Sequence, residues 1–327
     1  MTTRAPAPPV DHFTVVLDAL VLKDMSIRFE RTLRVSDQGL NFLPPSFGEF
    51  PLRPVDPTVT GLPDHVRDRG GVLMPIYVRE AMWINLDSDE PVAVQIGAGG
   101  RCVVSGRPLV DRLTRRPQNY VVLPDQPWLD GFKTADGEVR QFVGVPKGAG
   151  LSVEHQLTGE EAVGGIQIQV WRLTPAALER WRAEQQRHRV MYSAVVECMA
   201  PMTLGAGGRI SQEVYRDEFT AKDWQTTPAA RCWVHLVSAA EWRSYTGEIP
   251  PPTPIDTNSY IDAGLPWFDY FDADHDDLPT TDELRSIESV GHLLGEEDTT
   301  VTASADTVGV IRYGHCHPLP VPGGRWR

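Results

Sequence analysis

The chain has 327 residues, a length that suits one large domain or two closely packed subdomains. Hydrophobic residues make up 41% of it, which excludes a largely disordered chain. The 44 acidic and 31 basic residues give a formal net charge of -13, which repels phosphate backbones and anionic membranes and so argues against nucleic-acid binding. One basic cluster, Arg112, Arg115 and Arg116, lies on a predicted short helix over 108–116, where a solvated face is expected.

The cysteines and apolar segments indicate a soluble cytoplasmic protein. The four cysteines are Cys102, Cys198, Cys232 and Cys316. They are far apart and form no CxxC motif, so neither a zinc ribbon nor a thioredoxin-type redox pair is supported. Residues 1–13 contain no apolar signal-peptide core. No stretch reaches the roughly 18 to 20 uncharged apolar residues of a membrane-spanning helix, so we expect no span.

The N-terminal part predicts mainly strands. Residues 1–12 are rich in Pro and Ala and predict a flexible lead. Alternating apolar residues predict strands within 13–35, and the prolines of 43–57 predict a loop. A short helix is predicted over 62–69, ending at Gly70-Gly71, which adopts a left-handed cap readily. Apolar runs bounded by turn residues predict strands at 72–78, 81–86 and 91–96.

The pentapeptide GAGGR occurs twice, at 97–101 and 205–209. Neither copy has the GxGxxG spacing or the Lys and Ser/Thr of a phosphate-binding loop, so a nucleotide site is not indicated. A glycine turn between strands is the expected structure. The recurrence leaves open whether the chain contains an internal duplication or a chance match.

The stretch 126–171 carries the densest pattern and predicts a β-meander. Asp136-Gly137 is a signature of a tight hairpin turn. Residues 151–157 alternate between apolar and polar, as do residues 166–172, which predicts two strands. If residues 158–165 join them as a hairpin, one sheet face is apolar and the other is polar.

The polar face of that hairpin is the first candidate binding site. Its predicted members are Glu154, Gln156, Gln167, Gln169 and Trp171. A Trp ring can stack on a flat or sugar-like ligand while amides and a carboxylate bind its hydroxyl groups. The alternative is an ordinary solvated face, which antiparallel sheets commonly have. The first interpretation predicts a small polar ligand or a protein partner.

Two helices have clear start signals. Residues 174–189 begin with Thr174 as N-cap and Pro175 at the first helical position. Ser238 and Glu241 form a capping box for a second helix. Together the elements predict an α+β, β-rich fold with two packed antiparallel-sheet halves, sandwich-like or barrel-like, bridged by a helix and with short helices in the C-terminal half. The predicted division is a flexible lead 1–12, a β-rich half 13–173, a bridging helix 174–189, an α+β half 190–295, and a loose acidic segment and tail 296–327.

An acidic loop is the second candidate site. Residues with the spacing of EF-hand calcium ligands are Asp272, Asp274, Asp276 and Glu283. Asp277 replaces the turn glycine of that motif, and the competing interpretation is a solvated loop in which Thr280 and Glu283 cap a helix. The His-Cys-His segment 315–317 could begin a zinc or copper site, but no third ligand is identifiable. Calcium is an open alternative, and no other cofactor is expected.

Assembled catalytic motifs are absent. The sequence contains no GxSxG, HExxH or SxxK motif. Dispersed acid–base residues are the alternative, with Asp130, Glu154 and His155 as the candidates. The competing interpretation for Asp130 is a turn residue before Gly131, and for His155 a hydrogen-bonded core histidine.

Six short blocks, several of which combine Trp with Gly and Pro, are specific enough for a resemblance. They are EAMW (80–83), QPWLDG (126–131), VRQF (139–142), QLTGE (156–160), GGIQ (164–167) and GLPWFD (264–269). They resemble an uncharacterised protein family of actinobacteria and other microbes, over about residues 40–295. Some members of that family are labelled integral membrane proteins, which the hydropathy of this sequence argues against. The resemblance implies that the blocks belong to one fold, and it implies no activity.

The sequence therefore predicts a binding or assembly protein more than an enzyme. Strand faces, glycine turns and Trp residues are abundant, whereas assembled catalytic motifs are missing. A homo-oligomer is one form that assembly would take. A buried pocket that held Asp130 or Glu154 with a perturbed pKa would favour an enzyme instead.

Overall fold

The chain folds mainly into strands with a few short helices. The computed structural model describes residues 13–37, 39–185, 202–250, 267–272, 275–295 and 308–313. The strands are β1 (Phe13–Val16), β2 (Ala19–Leu22), β3 (Met25–Thr32), β4 (Leu40–Asn41), β5 (Arg53–Pro54), β6 (Val72–Pro75), β7 (Ala81–Ser88), β8 (Val92–Ala98), β9 (Arg101–Cys102), β10 (Val121–Leu123), β11 (Trp128–Leu129), β12 (Gly131–Ala135), β13 (Glu138–Pro146), β14 (Ile166–Arg172), β15 (Met202–Ser211), β16 (Ala230–Val237), β17 (Trp267–Asp272) and β18 (Val308–Tyr313). The helices are α1 (Asp64–Arg69), α2 (Val153–Thr158), α3 (Pro175–Gln185), α4 (Ala239–Thr246), α5 (Asp282–Arg285) and α6 (Val290–Leu294).

One large sheet organises the fold. Its main path is antiparallel and runs β1-β2-β3-β7-β13-β15-β16-β14-β8-β10, with the shorter strands attached at its sides. β15 and β16 are joined through a single residue pair, Met202 with Leu236. The sheet therefore divides at this point into two parts, and both parts contribute side chains to one hydrophobic core. The predicted α+β, β-rich fold is confirmed.

The two sheet parts draw strands from both sides of α3. β13 pairs with β15 along most of its length, and β14 pairs with β16. The sheet thus does not follow the predicted division of the chain at 174–189. The predicted domain boundaries themselves stay predictions.

Alternation within the strands decides which side chains enter the core. In β3, Met25, Ile27 and Phe29 are buried, while Ser26 and Arg28 between them are half-buried on the opposite face. Each fully buried apolar side chain of this size contributes about 1.5–3 kcal/mol relative to an exposed one. The same alternation puts polar side chains in rows on the outer faces of the sheet.

Several local predictions are confirmed. α1 ends at Gly70, and the capping box of Ser238 and Glu241 starts α4. Asp136-Gly137 forms the two-residue turn between β12 and β13. The predicted strands of 72–78, 81–86 and 91–96 correspond to β6, β7 and β8, and β7 and β8 each extend two residues further than predicted. α3 begins as predicted, and residues 186–189 lie outside the described part of the chain.

The predicted strand over 151–157 is wrong, since this segment forms α2. The Ser152 hydroxyl accepts a hydrogen bond from the His155 N–H at 3.1 Å, and Gly159 ends the helix in the left-handed conformation. A short alternating run fits one and a half helical turns as well as a strand, so the caps decide the outcome. The predicted hairpin over 158–165 is therefore wrong as well.

The predicted helix over 108–116 is also wrong, since this segment is irregular. Pro117 follows directly and disfavours helical backbone angles at the residue before it. The Asn119 side chain instead holds the segment as a loop. It accepts from the Thr114 N–H at 2.8 Å and donates to the Arg112 carbonyl at 3.1 Å.

The two GAGGR copies have different conformations. In the first, Gly99 and Gly100 have positive φ and turn the chain from β8 to β9, as predicted. The second copy lies inside β15 without a turn. There Gly208 passes so close to the Ser36 carbonyl that a Cβ would lie 2.1 Å from its oxygen. Close backbone contact, not turn formation, explains the second set of glycines.

Two further observations complete the fold. β17 and β18 pair in parallel as a separate two-stranded sheet. In the described ranges, we find no helix whose length and apolar content would let it cross a membrane. The predicted lead 1–12 lies outside these ranges, as does the tail 296–327 apart from β18.

Candidate functional site

The predicted ligand residues Glu154 and Gln156 lie on α2 and not on a strand face. The buried Glu154 carboxylate accepts hydrogen bonds from the Val163 N–H at 2.7 Å and the Gly164 N–H at 2.8 Å. The Gln156 side chain accepts from the Glu288 N–H at 2.7 Å and donates to its carbonyl at 3.1 Å. Both side chains therefore hold neighbouring loops in place.

The remaining three predicted ligand residues lie on β14, where they are buried. We call the outer row of Gln95, Gln167 and Gln169 the glutamine face. Gln167 accepts from the Gly100 N–H at 2.7 Å and donates to the Gly164 carbonyl at 2.8 Å, while Gln169 accepts from Arg231 Nε at 2.9 Å. Trp171 is fully buried in a second apolar cluster beneath α3. The predicted single sheet face of these five residues is therefore wrong, while ligand binding by them stays a prediction.

Other glutamines play the same role elsewhere. Gln126 accepts from the Tyr215 N–H at 2.9 Å and Gln118 accepts from the Asp217 N–H at 2.9 Å. Gln141 accepts from the Val35 N–H at 3.0 Å and donates to the Leu33 carbonyl at 2.9 Å. A primary amide carries the same donor and acceptor as a peptide group, so it can satisfy a backbone segment that has no strand partner.

The predicted calcium loop is bound to basic side chains and backbone groups. Asp276 pairs with Arg216 at 3.1 Å, and Glu283 pairs with Arg107 at 3.2 Å. Asp277 receives the buried Lys133 ammonium at 2.6 Å and also accepts from two backbone N–H groups. Among the described residues, no group of three or more His, Cys, Asp or Glu side chains is placed to hold a metal ion.

The predicted calcium loop and the predicted zinc or copper segment both include residues outside the described part of the chain. Asp274 and the segment 315–317 lie outside the described residues, and only the backbone of Asp272 is described, in β17. Thr281, one residue after the predicted Thr280, caps α5. Calcium binding through Asp272, Asp274, Asp276 and Glu283 stays a prediction.

Asp130 is buried between β11 and β12 and does not lie in a turn. Its carboxylate accepts from Gln212 Nε2 at 2.7 Å, and its N–H donates to Gln212 Oε1 at 2.8 Å. Burial raises the pKa of Asp130 to about 7, although a hydrogen bond from the Trp128 side chain acts in the opposite direction. The Glu154 carboxylate binds the Val163 and Gly164 N–H groups instead, so the two candidate carboxylates hold different segments of the chain.

A second polar and aromatic face is formed by β3, β7 and β11. The register places Glu30 opposite Trp83 and Arg28 opposite Asn85, and Asn85 is in turn opposite Trp128. Side chains directly opposite each other in a sheet share a face. The neighbouring residues, which alternate with them and enter the core, are Phe29, Ile84 and Leu129. The five polar and aromatic side chains therefore lie together on the outer side.

Glu49 joins this face from the loop after β4. It forms an antiparallel bridge with Glu30. Backbone hydrogen bonds on both sides fix the bridge, from Arg31 N–H to Gly48 at 2.7 Å and from Phe50 N–H to Phe29 at 2.7 Å. The two glutamates thus oppose each other. We call the set Arg28, Glu30, Glu49, Trp83, Asn85 and Trp128 the acidic tryptophan face.

The two carboxylates form the buried floor of this face. Glu30 is 0% exposed and accepts from Ser46 Oγ at 2.9 Å and from Asn85 Nδ2 at 3.3 Å. Glu49 is 7% exposed and pairs with Arg28 Nε at 3.2 Å. Buried carboxylates in opposed positions repel each other and are costly to ionise together.

The electrostatics of Glu49 reflect that arrangement. Burial, together with the negative charge of Glu30, raises the pKa of Glu49 to about 7, while Arg28 acts in the opposite direction. The side chain therefore exchanges a proton near neutral pH. A group with such a pKa can give or take a proton, or bind a cation in its place.

The two tryptophans form the accessible rim. Trp83 and Trp128 are half-buried, so part of each ring reaches solvent. The Nε1 atom of Trp83 is nevertheless buried and has no hydrogen-bond partner among the described residues. An unpaired buried donor costs about 1–3 kcal/mol, which an acceptor on a ligand would recover. The face thus combines aromatic surface, a donor and two carboxylates.

The sequence contained part of this site but not its assembly. Trp83 and Trp128 lie in two of the quoted blocks, and Asp130 in the second block was a candidate residue. Glu30 and Glu49 carried no motif. Only the long-range pairing of β3 with β7 and with the loop at Glu49 brings them together.

Comparison of the chain with models of known protein families, with curated protein sequences and with solved structures gives no match. The resemblance of the six blocks to a microbial family stays a prediction.

Proposed function

We propose that the protein binds a small polar ligand on the acidic tryptophan face. The observation that carries the proposal is the opposed pair Glu30 and Glu49 beneath the half-buried rings of Trp83 and Trp128. Ligand sites typically combine aromatic surface with a few placed polar groups. The sequence predicted a ligand site on a polar and aromatic sheet face that includes β14. The face proposed here has the same character but lies on β3, β7 and β11.

A purely structural role explains this face less well. The amides of the glutamine face end in satisfied hydrogen bonds. On the acidic tryptophan face, two carboxylates oppose each other, and the described part of the chain supplies no partner to the Trp83 side-chain N–H. Departures from local rules of this kind are concentrated at functional sites.

A ligand panel with matched variants tests the proposal. The panel contains neutral monosaccharides, amino acids and organic amines, and the readouts are the melting temperature and calorimetric titration. We expect one class to stabilise the protein, and Trp83→Phe and Trp128→Phe to weaken its binding by about 2- to 10-fold, since aromatic contacts contribute about 0.5–1.5 kcal/mol each. Trp181→Phe, on α3, is the control. Equal weakening by all three variants, or no binding by any class, would contradict the proposal.

Acid–base catalysis is the second candidate function. It is favoured by the pKa values of about 7 for Glu49 and Asp130, because a group of that pKa is suited to proton transfer at neutral pH. A panel of chromogenic esters and glycosides would detect hydrolysis. Activity that Glu49→Gln abolishes and Asp64→Asn leaves unchanged would support an enzyme, whereas activity insensitive to Glu49→Gln would exclude this residue.

We infer a cytoplasmic location from the thiols. Cys102 and Cys232 are free and buried, and burial raises the pKa of Cys232 to about 12. Such thiols do not form the reactive thiolate, as suits a reducing compartment. A protein partner and a homo-oligomer stay predictions, which light scattering of the purified chain would test.

A further inference from the structure

The charges around the acidic tryptophan face indicate which kind of polar ligand it would take, an inference that rests on the proposed function. The charged groups that act on Glu49 are Glu30 and Arg28 of β3 and Asp18 of the β1–β2 turn. The effect of Glu30 on Glu49 is larger than that of Arg28, and Asp18, which pairs with Arg53 at 2.6 Å, adds to it, so the potential at Glu49 is negative. Arg31, the next cation along β3, pairs with Glu80 at 2.5 Å.

The aromatic rings add to this negative potential. The face of an indole ring attracts a cation by about 0.5–1 kcal/mol at exposed sites and by about 2 kcal/mol or more when water is excluded. Trp83 lies opposite Glu30, and Trp128 lies in the adjacent row. A positive group placed between them would contact an aromatic ring and relieve the repulsion between the opposed carboxylates.

A neutral polyhydroxyl ligand fits the same groups less closely. Sugar hydroxyls would accept from the Trp83 N–H and hydrogen-bond to the carboxylates, but they would leave the repulsion between Glu30 and Glu49 in place. The Arg28 side chain already pairs with Glu49 and is half-buried, so an added anion would meet Glu30 and Glu49 behind it. Charge complementarity therefore favours a cation over a sugar or an anion.

We propose that the acidic tryptophan face binds an organic cation, an alkylated or primary ammonium group, that takes the place of a proton on Glu49. Proton and cation then compete for one carboxylate. Binding releases a proton when it occurs near pH 7, and it weakens as the pH falls. No covalent step is involved.

Calorimetric titration with choline and with 3,3-dimethyl-1-butanol, its uncharged carbon isostere, tests this proposal on the full chain. We expect choline to bind and the isostere to bind at least about tenfold more weakly, since loss of a desolvated cation–π contact costs about 2 kcal/mol. Because the ionised fraction of a group with a pKa of about 7 falls about tenfold between pH 8 and pH 6, choline affinity should fall by about the same factor.

The number of protons released on binding distinguishes a ligand-binding role of Glu49 from a structural one, because a purely structural role would not change it. Titration of choline at pH 7 in phosphate and in Tris, whose ionisation enthalpies differ, gives the number of protons released. Glu49→Gln should remove both the release and the pH dependence, while Asp64→Asn, an exposed carboxylate on α1, should retain them. Equal binding of choline and its isostere, or binding without proton release, would overturn the cation proposal. A neutral sugar that binds with dependence on Trp83 would overturn it too, while the proposed ligand site would stand.

Discussion

Two outer faces of the same sheet carry rows of polar side chains that are satisfied to different degrees. The glutamine face on β8 and β14 consists of amides, whereas the acidic tryptophan face on β3, β7 and β11 combines carboxylates and an amide with aromatic rings. On the first, Gln167 bridges the Gly100 and Gly164 backbone groups and Gln169 binds Arg231. On the second, Glu30 and Glu49 oppose each other, and none of the described residues accepts a hydrogen bond from the Trp83 side-chain N–H.

The comparison shows that residue type does not distinguish a structural face from a candidate site. What distinguishes them is whether each buried polar atom has a partner of the right kind, because unsatisfied or repelling groups raise the free energy of the folded state. The amides of the glutamine face lower that free energy because they hydrogen-bond to backbone groups that have no neighbouring strand to pair with. The acidic tryptophan face keeps an electrostatic cost that a ligand can remove.

Glu154→Ala should give the largest effect and would test the structural side of the comparison. The buried carboxylate accepts from the Val163 and Gly164 N–H groups next to the glutamine face, and its loss leaves two buried donors unpaired. We expect a loss of about 3 kcal/mol in the free energy of unfolding, measured by urea denaturation at pH 7. Glu160→Ala, an exposed neighbour, should change it by less than about 0.5 kcal/mol. Similar values for both variants would show that Glu154 is not a structural group.

Gln167→Ala should cost about 2 kcal/mol of unfolding free energy. The substitution leaves the Gly100 N–H and the Gly164 carbonyl without their amide partner. Gln225→Ala, at an exposed position, is the matched control and should stay within about 0.5 kcal/mol. If Gln167→Ala instead left stability unchanged, Gln167 would not be a structural residue, and the glutamine face would again be a candidate ligand surface.

Local signals were sufficient for much of the fold. The apolar runs that became β6, β7 and β8, the Asp136-Gly137 turn and the Ser238 capping box depend on residues close together in sequence. The error at 151–157 also has a local cause, since Ser152 and Gly159 were helix caps at either end of an ambiguous run. The cap residues Ser152 and Gly159 predict the helix α2 correctly when they are given more weight than the alternation of apolar and polar residues.

The candidate site could not be read in the same way. Glu30, Glu49 and Trp83 are far apart in the chain, and only strand order and register make them neighbours. The acidic loop illustrates the same limit, because Asp277 binds the buried Lys133 ammonium of β12, a partner that no spacing rule indicates. Long-range pairing of charged groups follows from the fold and leaves no mark in the local pattern.

Glu49→Gln should raise stability, and only at the higher pH. A carboxyl whose folded-state pKa is about 7, above its ordinary 4.5, favours the folded state below pH 4.5, and this contribution is lost as the pH rises to about 7. Removing the charge should therefore stabilise the protein by about 1 kcal/mol at pH 8 and leave stability nearly unchanged at pH 5. Denaturation at both pH values checks this. A loss of stability at pH 8 would mean that the pair with Arg28 outweighs burial and repulsion.

Trp83→Phe should have the smallest effect on stability and would sharpen the comparison most. The smaller ring loses some apolar contact, while removal of the unpaired Nε1–H recovers a similar amount, so the net change should stay within about 0.5 kcal/mol. Trp224→Phe is the comparison variant, because Trp224 Nε1 donates to the buried Asp217 carboxylate at 3.0 Å. Loss of that hydrogen bond should lower the free energy of unfolding by about 2 kcal/mol. A small change would show that the Trp83 indole contributes little to folding, which leaves its half-buried ring available for binding. If Trp83→Phe cost as much as Trp224→Phe, Trp83 would be a structural residue, and the acidic tryptophan face would lose its aromatic rim as an argument for a ligand.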